Sequence, residues 1–232
     1  MKSIKLPLRN NFAFLLAGLL LLFFLPPCLR LFVADKIDVD VQRALLLMGF
    51  SLFALISVWS LYQNRLIFFI GFALALLNSA SVIALFFHSQ VIISFSFELI
   101  VFLSIILFSA LSCFIAGQHV FSWRDTDTNS LIGAVCIYLL LGLIFALIYT
   151  MFAYYYPQGA FQGLVFEGKT IKFDSFLYFS FVTLTTAGYG DITPLNPFLR
   201  TLAYLEMITG QFYMAILVSG LVAHFMGLRM SR

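Results

Sequence analysis

Thr185-Thr186-Ala187-Gly188-Tyr189-Gly190-Asp191 lies between two apolar segments, Asp174 to Leu184 and Pro197 to Gly227. Two glycines flank one tyrosine, so the backbone there can take dihedral angles closed to other residues. The segment before the motif is too short to cross a bilayer as a helix and is expected to be re-entrant or buried. Asp174 is placed to cap its N-terminus. Irregular backbone at membrane depth is tolerated only inside protein or beside water. The motif therefore implies a cavity.

Working outward, the rest of the chain has the composition of a membrane protein. Its 232 residues are 62% apolar and only 10% charged, where a soluble domain carries about a quarter charged residues. The apolar residues fall in runs of about 20, the length that crosses a bilayer core as a helix. Polar interruptions divide them. The first span runs from Asn11 to Val33, with Pro26-Pro27 expected to bend its far end. The second covers Val41 to Tyr62, the third Leu66 to Phe87 and the fourth Val91 to Ala116. The fifth covers Leu131 to Tyr156 and ends in a tyrosine cluster suited to the headgroup level. The sixth is Pro197 to Gly227. Lys2, Lys5 and Arg9 before the first run resemble a signal peptide, but Pro26-Pro27 does not suit cleavage, so that run is expected to stay in the membrane.

The fold class expected is an all-α membrane protein: six transmembrane helices plus a re-entrant pore helix and a filter loop. Its expected domains are a four-helix transmembrane domain over 1–118, an interfacial linker over 119–130 and a pore domain over 131–232. Lysine and arginine divide almost evenly between the two sides, so the positive-inside rule orients the chain only weakly. The five residues Leu228 to Arg232 lead to the expectation of no cytosolic ligand-binding domain after the last span.

Several functions are disfavoured. A net charge of +3 with no basic run speaks against nucleic acid. Cys28, Cys113 and Cys136 lack the spacing of a disulfide framework or metal site and read as small packing residues. No Ser–His–Asp, metal-ligand or phosphate-loop pattern is present, so no enzyme and no cofactor is expected. His88, His119 and His224 read as polar residues near span ends.

A cation entering a narrow pore must exchange its water for other oxygens, and a row of backbone carbonyls supplies them. The C-terminal end of the short helix carries roughly half a negative charge and points at the filter entrance. From Asp174 to about Phe225 the chain resembles the pore module of the potassium channel family, of the bacterial six-transmembrane, one-pore type. That resemblance implies K+ as permeant ion, a homotetramer surrounded by membrane lipids, and a multi-pass plasma (inner) membrane protein with both termini cytoplasmic. It assigns ion binding to Thr186, Ala187, Gly188, Tyr189 and Gly190. It makes Asp191, Tyr178 and Thr185 filter support and puts Gly210 at the hinge of the inner helix. Ala187 departs from the usual Val or Ile. The loss is two methyl-sized groups of about 1 kcal/mol each if buried, and the expectation is a looser filter.

On the last span, Gln211, Met214, Val218 and Val222 share a stripe. They are candidate cavity-lining residues, or a face packed on a neighbouring helix. Glu206 is turned about 140° from Gln211, so it should face the pore helix or fifth span in a hydrogen-bonding role. Glu98 is the one charge between Val91 and Ala116; it pairs with Arg30 or Arg43, or is protonated. That span has no Lys or Arg, so steep voltage gating, which needs charge in the field, is not expected. The alternatives are a weakly selective monovalent cation channel and a non-conducting regulatory membrane subunit.

Overall fold

The computed structural model describes residues 12–33, 39–58, 65–87, 95–120, 128–156, 159–164 and 173–230. Among them the chain is almost wholly helical. The helices are α1 (Phe12–Val33), α2 (Val39–Val58), α3 (Arg65–Phe87), α4 (Phe95–Val120), α5 (Thr128–Tyr155), α6 (Phe173–Leu184) and α7 (Pro197–Met230). Two short strands, β1 (Phe161–Gln162) and β2 (Thr193–Pro194), pair antiparallel.

Helix is what apolar segments of this kind require, because it satisfies every backbone N–H and C=O internally. Asn129–Tyr155 is long and apolar enough to cross a membrane. α1 runs through Pro26-Pro27 to the expected limit at Val33. Other boundaries differ from expectation. α4 extends to Val120 and α5 begins at Thr128, so the expected linker shrinks to 121–127, outside the described residues. α6 begins at Phe173, which puts Asp174 in the first turn rather than at the cap. Its charge still complements the helix N-terminus.

The chain forms two compact units, Met1–Ser94 with Leu111–Cys136, and Phe95–Ala110 with Ile137–Arg232. In the first, Gly18 of α1 lets the Phe53 ring approach: a Cβ there would stand 3.3 Å from it. Ser51 and Ser79 join α2 to α3 through a 2.7 Å hydroxyl hydrogen bond. The backbone N–H of Phe12 donates to Asn129 Oδ1 at 3.0 Å. That bond satisfies an N–H left over at a helix start.

The second unit is built around aromatic rings. Tyr149, Phe161, Phe176 and Phe179 are buried together with Ala153, Leu199 and Ala203. Phe161 meets Tyr149, Phe176 and Phe179 edge-on, at centroid distances of 5.8, 5.2 and 5.3 Å, the T-shaped geometry that ring quadrupoles favour. The core thus joins α5, α6, α7 and β1, and it holds α6 in place. α7 starts sharply: Asn196 Oδ1 accepts the Phe198 N–H at 2.8 Å, and Pro197 occupies the first helical position, where no N–H is needed.

Candidate functional site

The motif Thr185–Asp191 begins where α6 ends. The Thr186 N–H donates to Thr183 O and the Ala187 N–H to Val182 O, both at 2.9 Å. This pair of bonds is a Schellman closure, which places its C′ residue in the left-handed region. That residue is Thr186, with φ 59°. Glycine is the usual occupant, and a β-branched residue there is an outlier.

The left-handed backbone then recurs at every second residue. Gly188 has φ 56° and Gly190 φ 80°, while no other residue of the motif has positive φ. Such alternation turns successive peptide planes so that their carbonyls face one side. A Cβ at Gly188 or Gly190 would meet nothing within 4 Å, so the glycines answer to dihedral angle and not to crowding. Residues 185–191 are all exposed in the single chain, and Tyr189 is 72% exposed.

Behind the strip, Tyr178 stacks on Tyr189 with centroids 6.4 Å apart. Its hydroxyl hydrogen-bonds to Asp191, which together with some desolvation pushes the Tyr178 pKa up. Thr185 Oγ1 donates back to Phe181 O at 2.6 Å. On the far side of Asp191, the β1–β2 ladder and the Leu195 N–H···O=C Ala160 bond (2.9 Å) hold the segment after the motif. Gly163, with φ 86°, lies so close that a Cβ there would overlap the Asp191 carbonyl oxygen at 1.8 Å. Sequence reasoning missed this clasp. Gly159 and Gly163 were its one signal, and strands of two residues have no readable period.

At the inner end, α7 touches the base of the motif through two consecutive residues. Gly210 is buried, and a Cβ on it would stand 2.0 Å from Leu184 O at the end of α6. A close approach therefore accounts for this glycine, and α7 runs through it as continuous helix. Gln211 Nε2 donates to Thr186 Oγ1 at 2.9 Å. Met214, one turn on, is exposed. The side chains of Val218 and Val222 lie outside the described residues, as do those of Glu98, Arg30, Arg43, His88, His119 and His224.

Glu206 has no solvent exposure at all. The Tyr149 hydroxyl of α5 donates to its Oε2 at 2.7 Å. Ser180 Oγ of α6 lies 2.5 Å from its Oε1 and 2.7 Å from Gly142 O. One carboxyl thus ties three helices together behind the motif. Ser180 and Gly142 were not singled out from sequence, and Tyr149, expected there in the tyrosine cluster at the headgroup level, is instead fully buried against this carboxyl; a serine inside an apolar helix was the available signal.

Residues 134–226 match a protein family described as "Ion channel". The chain is also similar to three curated plant proteins. It is 42% identical over 55 residues to "Two-pore potassium channel 5" of Arabidopsis thaliana, covering 24% of this chain and 14% of that protein. It is 39% identical over 62 residues to "Two pore potassium channel c" of Oryza sativa subsp. japonica, covering 27% and 14%. Against "Two-pore potassium channel 4" of Arabidopsis thaliana it is 32% identical over 109 residues, covering 46% and 37%. The chain thus spans well under half the length of these relatives. No solved structure matches it. These findings support a relation to potassium channels and a membrane location.

Proposed function

We propose, on the premise that residues 134–226 match a family described as ion channels, that this chain is a subunit of a potassium-selective channel. Four copies surround one axis and pool the carbonyls of Thr186, Ala187, Gly188, Tyr189 and Gly190 as a dehydrated filter. The observation that carries this reading is the alternation of positive φ at Thr186, Gly188 and Gly190 in a strip that the described residues of its own chain leave exposed. Such backbone cannot face lipid, and symmetric copies cover it without any second gene product.

In this reading α1 to α5 and α7 are six spans, α6 is the re-entrant pore helix, and both termini are cytoplasmic. Residues 131–232 are the pore domain, and 1–118 are a four-helix domain. Phe95–Val120 has neither Lys nor Arg, so opening is not steeply voltage-dependent. Met214, Val218 and Val222 line the cavity with Gln211.

Potassium flux into vesicles containing the purified chain tests the proposal. Wild-type flux should be blocked by barium and lost on Gly188→Ala. Vesicles with no flux above protein-free controls would refute conduction. A second reading, a weakly selective monovalent cation pore, is favoured by the small side chain of Ala187. A reversal potential that barely moves when sodium replaces potassium would select it.

A further inference from the structure

We infer that Gln211 is a positioning residue of the innermost cation site, because its amide, together with the Thr185 carbonyl, fixes the orientation of the Thr186 hydroxyl. The inference rests on the pore reading above. It starts from a mismatch: the Schellman closure at the end of α6 calls for glycine at its left-handed position, and the chain has threonine there. A left-handed residue with a Cβ costs about 1–2 kcal/mol. Strain of this kind persists where the surroundings impose it, and it clusters at functional sites. The group that threonine adds and glycine lacks is a hydroxyl.

That hydroxyl has one hydrogen and two lone pairs. Its hydrogen goes to Thr185 O, 2.7 Å away, since a carbonyl oxygen only accepts. With the hydrogen spent, the Gln211 side chain at 2.9 Å must present its NH2 group, and that group occupies one lone pair. One lone pair remains. The hydroxyl is therefore locked as an acceptor for a cation, with its hydrogen turned aside. Gly210 makes the lock possible: any side chain there would overlap the Leu184 carbonyl and move α7 away. Gln211 is thus held in register with the filter base by the residue before it.

Around a four-fold axis this arrangement gives a ring of hydroxyl oxygens whose lone pairs all face inward. Without the amide, the bond to Thr185 O alone holds the hydrogen aside, and a hydroxyl that leaves it and swings its hydrogen toward the pore repels a cation. The inference concerns innermost-site affinity, and barium is the suitable probe. Dehydrated, it is close in size to K+ and has twice the charge, so it dwells where oxygen ligands are best aligned.

The test uses the full chain in planar bilayers, with barium added from the side of the termini. Gln211→Met keeps the length and loses the donor. It should weaken barium block at least about fivefold, the factor of one net hydrogen bond. On a Thr186→Ala background the same change should alter block less than twofold, because the partner is gone. Calorimetric titration of barium into the purified assembly gives the same comparison if a variant does not conduct. Wild-type block in Gln211→Met, or an equal loss on both backgrounds, overturns the inference while leaving the pore reading intact. Wild-type bilayers with no barium-sensitive potassium current would refute the pore reading, and the inference with it.

Discussion

Removing the Glu206 carboxyl should loosen the helices behind the motif. In Glu206→Ala the Tyr149 hydroxyl, wholly buried, loses its acceptor. An unsatisfied buried hydroxyl costs about 1–3 kcal/mol. Ser180 keeps Gly142 O, 2.7 Å away, so its loss is smaller. The one methylene lost, Cγ, adds about 0.8 kcal/mol of packing. The sum is about 3 kcal/mol per chain. Reversible unfolding in mixed detergent–lipid micelles, followed by tyrosine fluorescence, measures it.

Two further variants make the reasoning specific. Three oxygen–oxygen contacts around Glu206 share two hydroxyl hydrogens, and a glutamine Nε2 hydrogen would supply the third. Glu206→Gln is therefore expected to lose less than about 1 kcal/mol. A triple change, Tyr149→Phe with Ser180→Ala and Glu206→Leu, removes all the polar partners at once. It should also recover most of the loss, since an all-apolar replacement leaves little unsatisfied. If Glu206→Ala unfolds within 0.5 kcal/mol of wild type, or if the triple variant is the least stable of the set, the carboxyl does not hold these helices as argued.

Gly163→Ala must displace the Asp191 carbonyl and strain a residue at φ 86°. Its potassium current should decay faster during sustained recording, and a time course like wild type would count against the clasp. The Tyr178 hydroxyl is held above the ordinary tyrosine range by Asp191. A raised value means the bond is intact at neutral pH and is lost only as pH climbs through that raised value. External alkalinisation beyond the ordinary tyrosine range should therefore reduce current in wild type and leave Tyr178→Phe unchanged, and equal sensitivity in both would refute it. Ala187→Val restores the bulk usual in the family that the motif resembles; under the proposed pore reading it should raise the potassium-to-sodium permeability ratio, and an unchanged reversal potential would dispose of that expectation.

Much of the molecule was legible from local pattern. Apolar runs bounded by Asp35–Asp40, Gln63–Arg65 and His88–Gln90 put the helices within a few residues of their observed limits, because helix formation in an apolar setting depends on the segment itself. Gly188 and Gly190 announced their left-handed backbone for the same reason. Thr186 did not, since its φ follows from how α6 closes and from nothing in its side chain. The partners behind the motif were hidden as well. Tyr149 reaches Glu206 across 57 positions, Ser180 across 26, and Gln211 reaches Thr186 across 25. Sequence alone thus determined the helices, the motif and the face on which Glu206 must lie. Only tertiary packing decided which hydroxyls meet that carboxyl, why residue 210 has no side chain, and what holds Asp191. Contacts between distant segments depend on how helices settle against one another, and no local spacing encodes that.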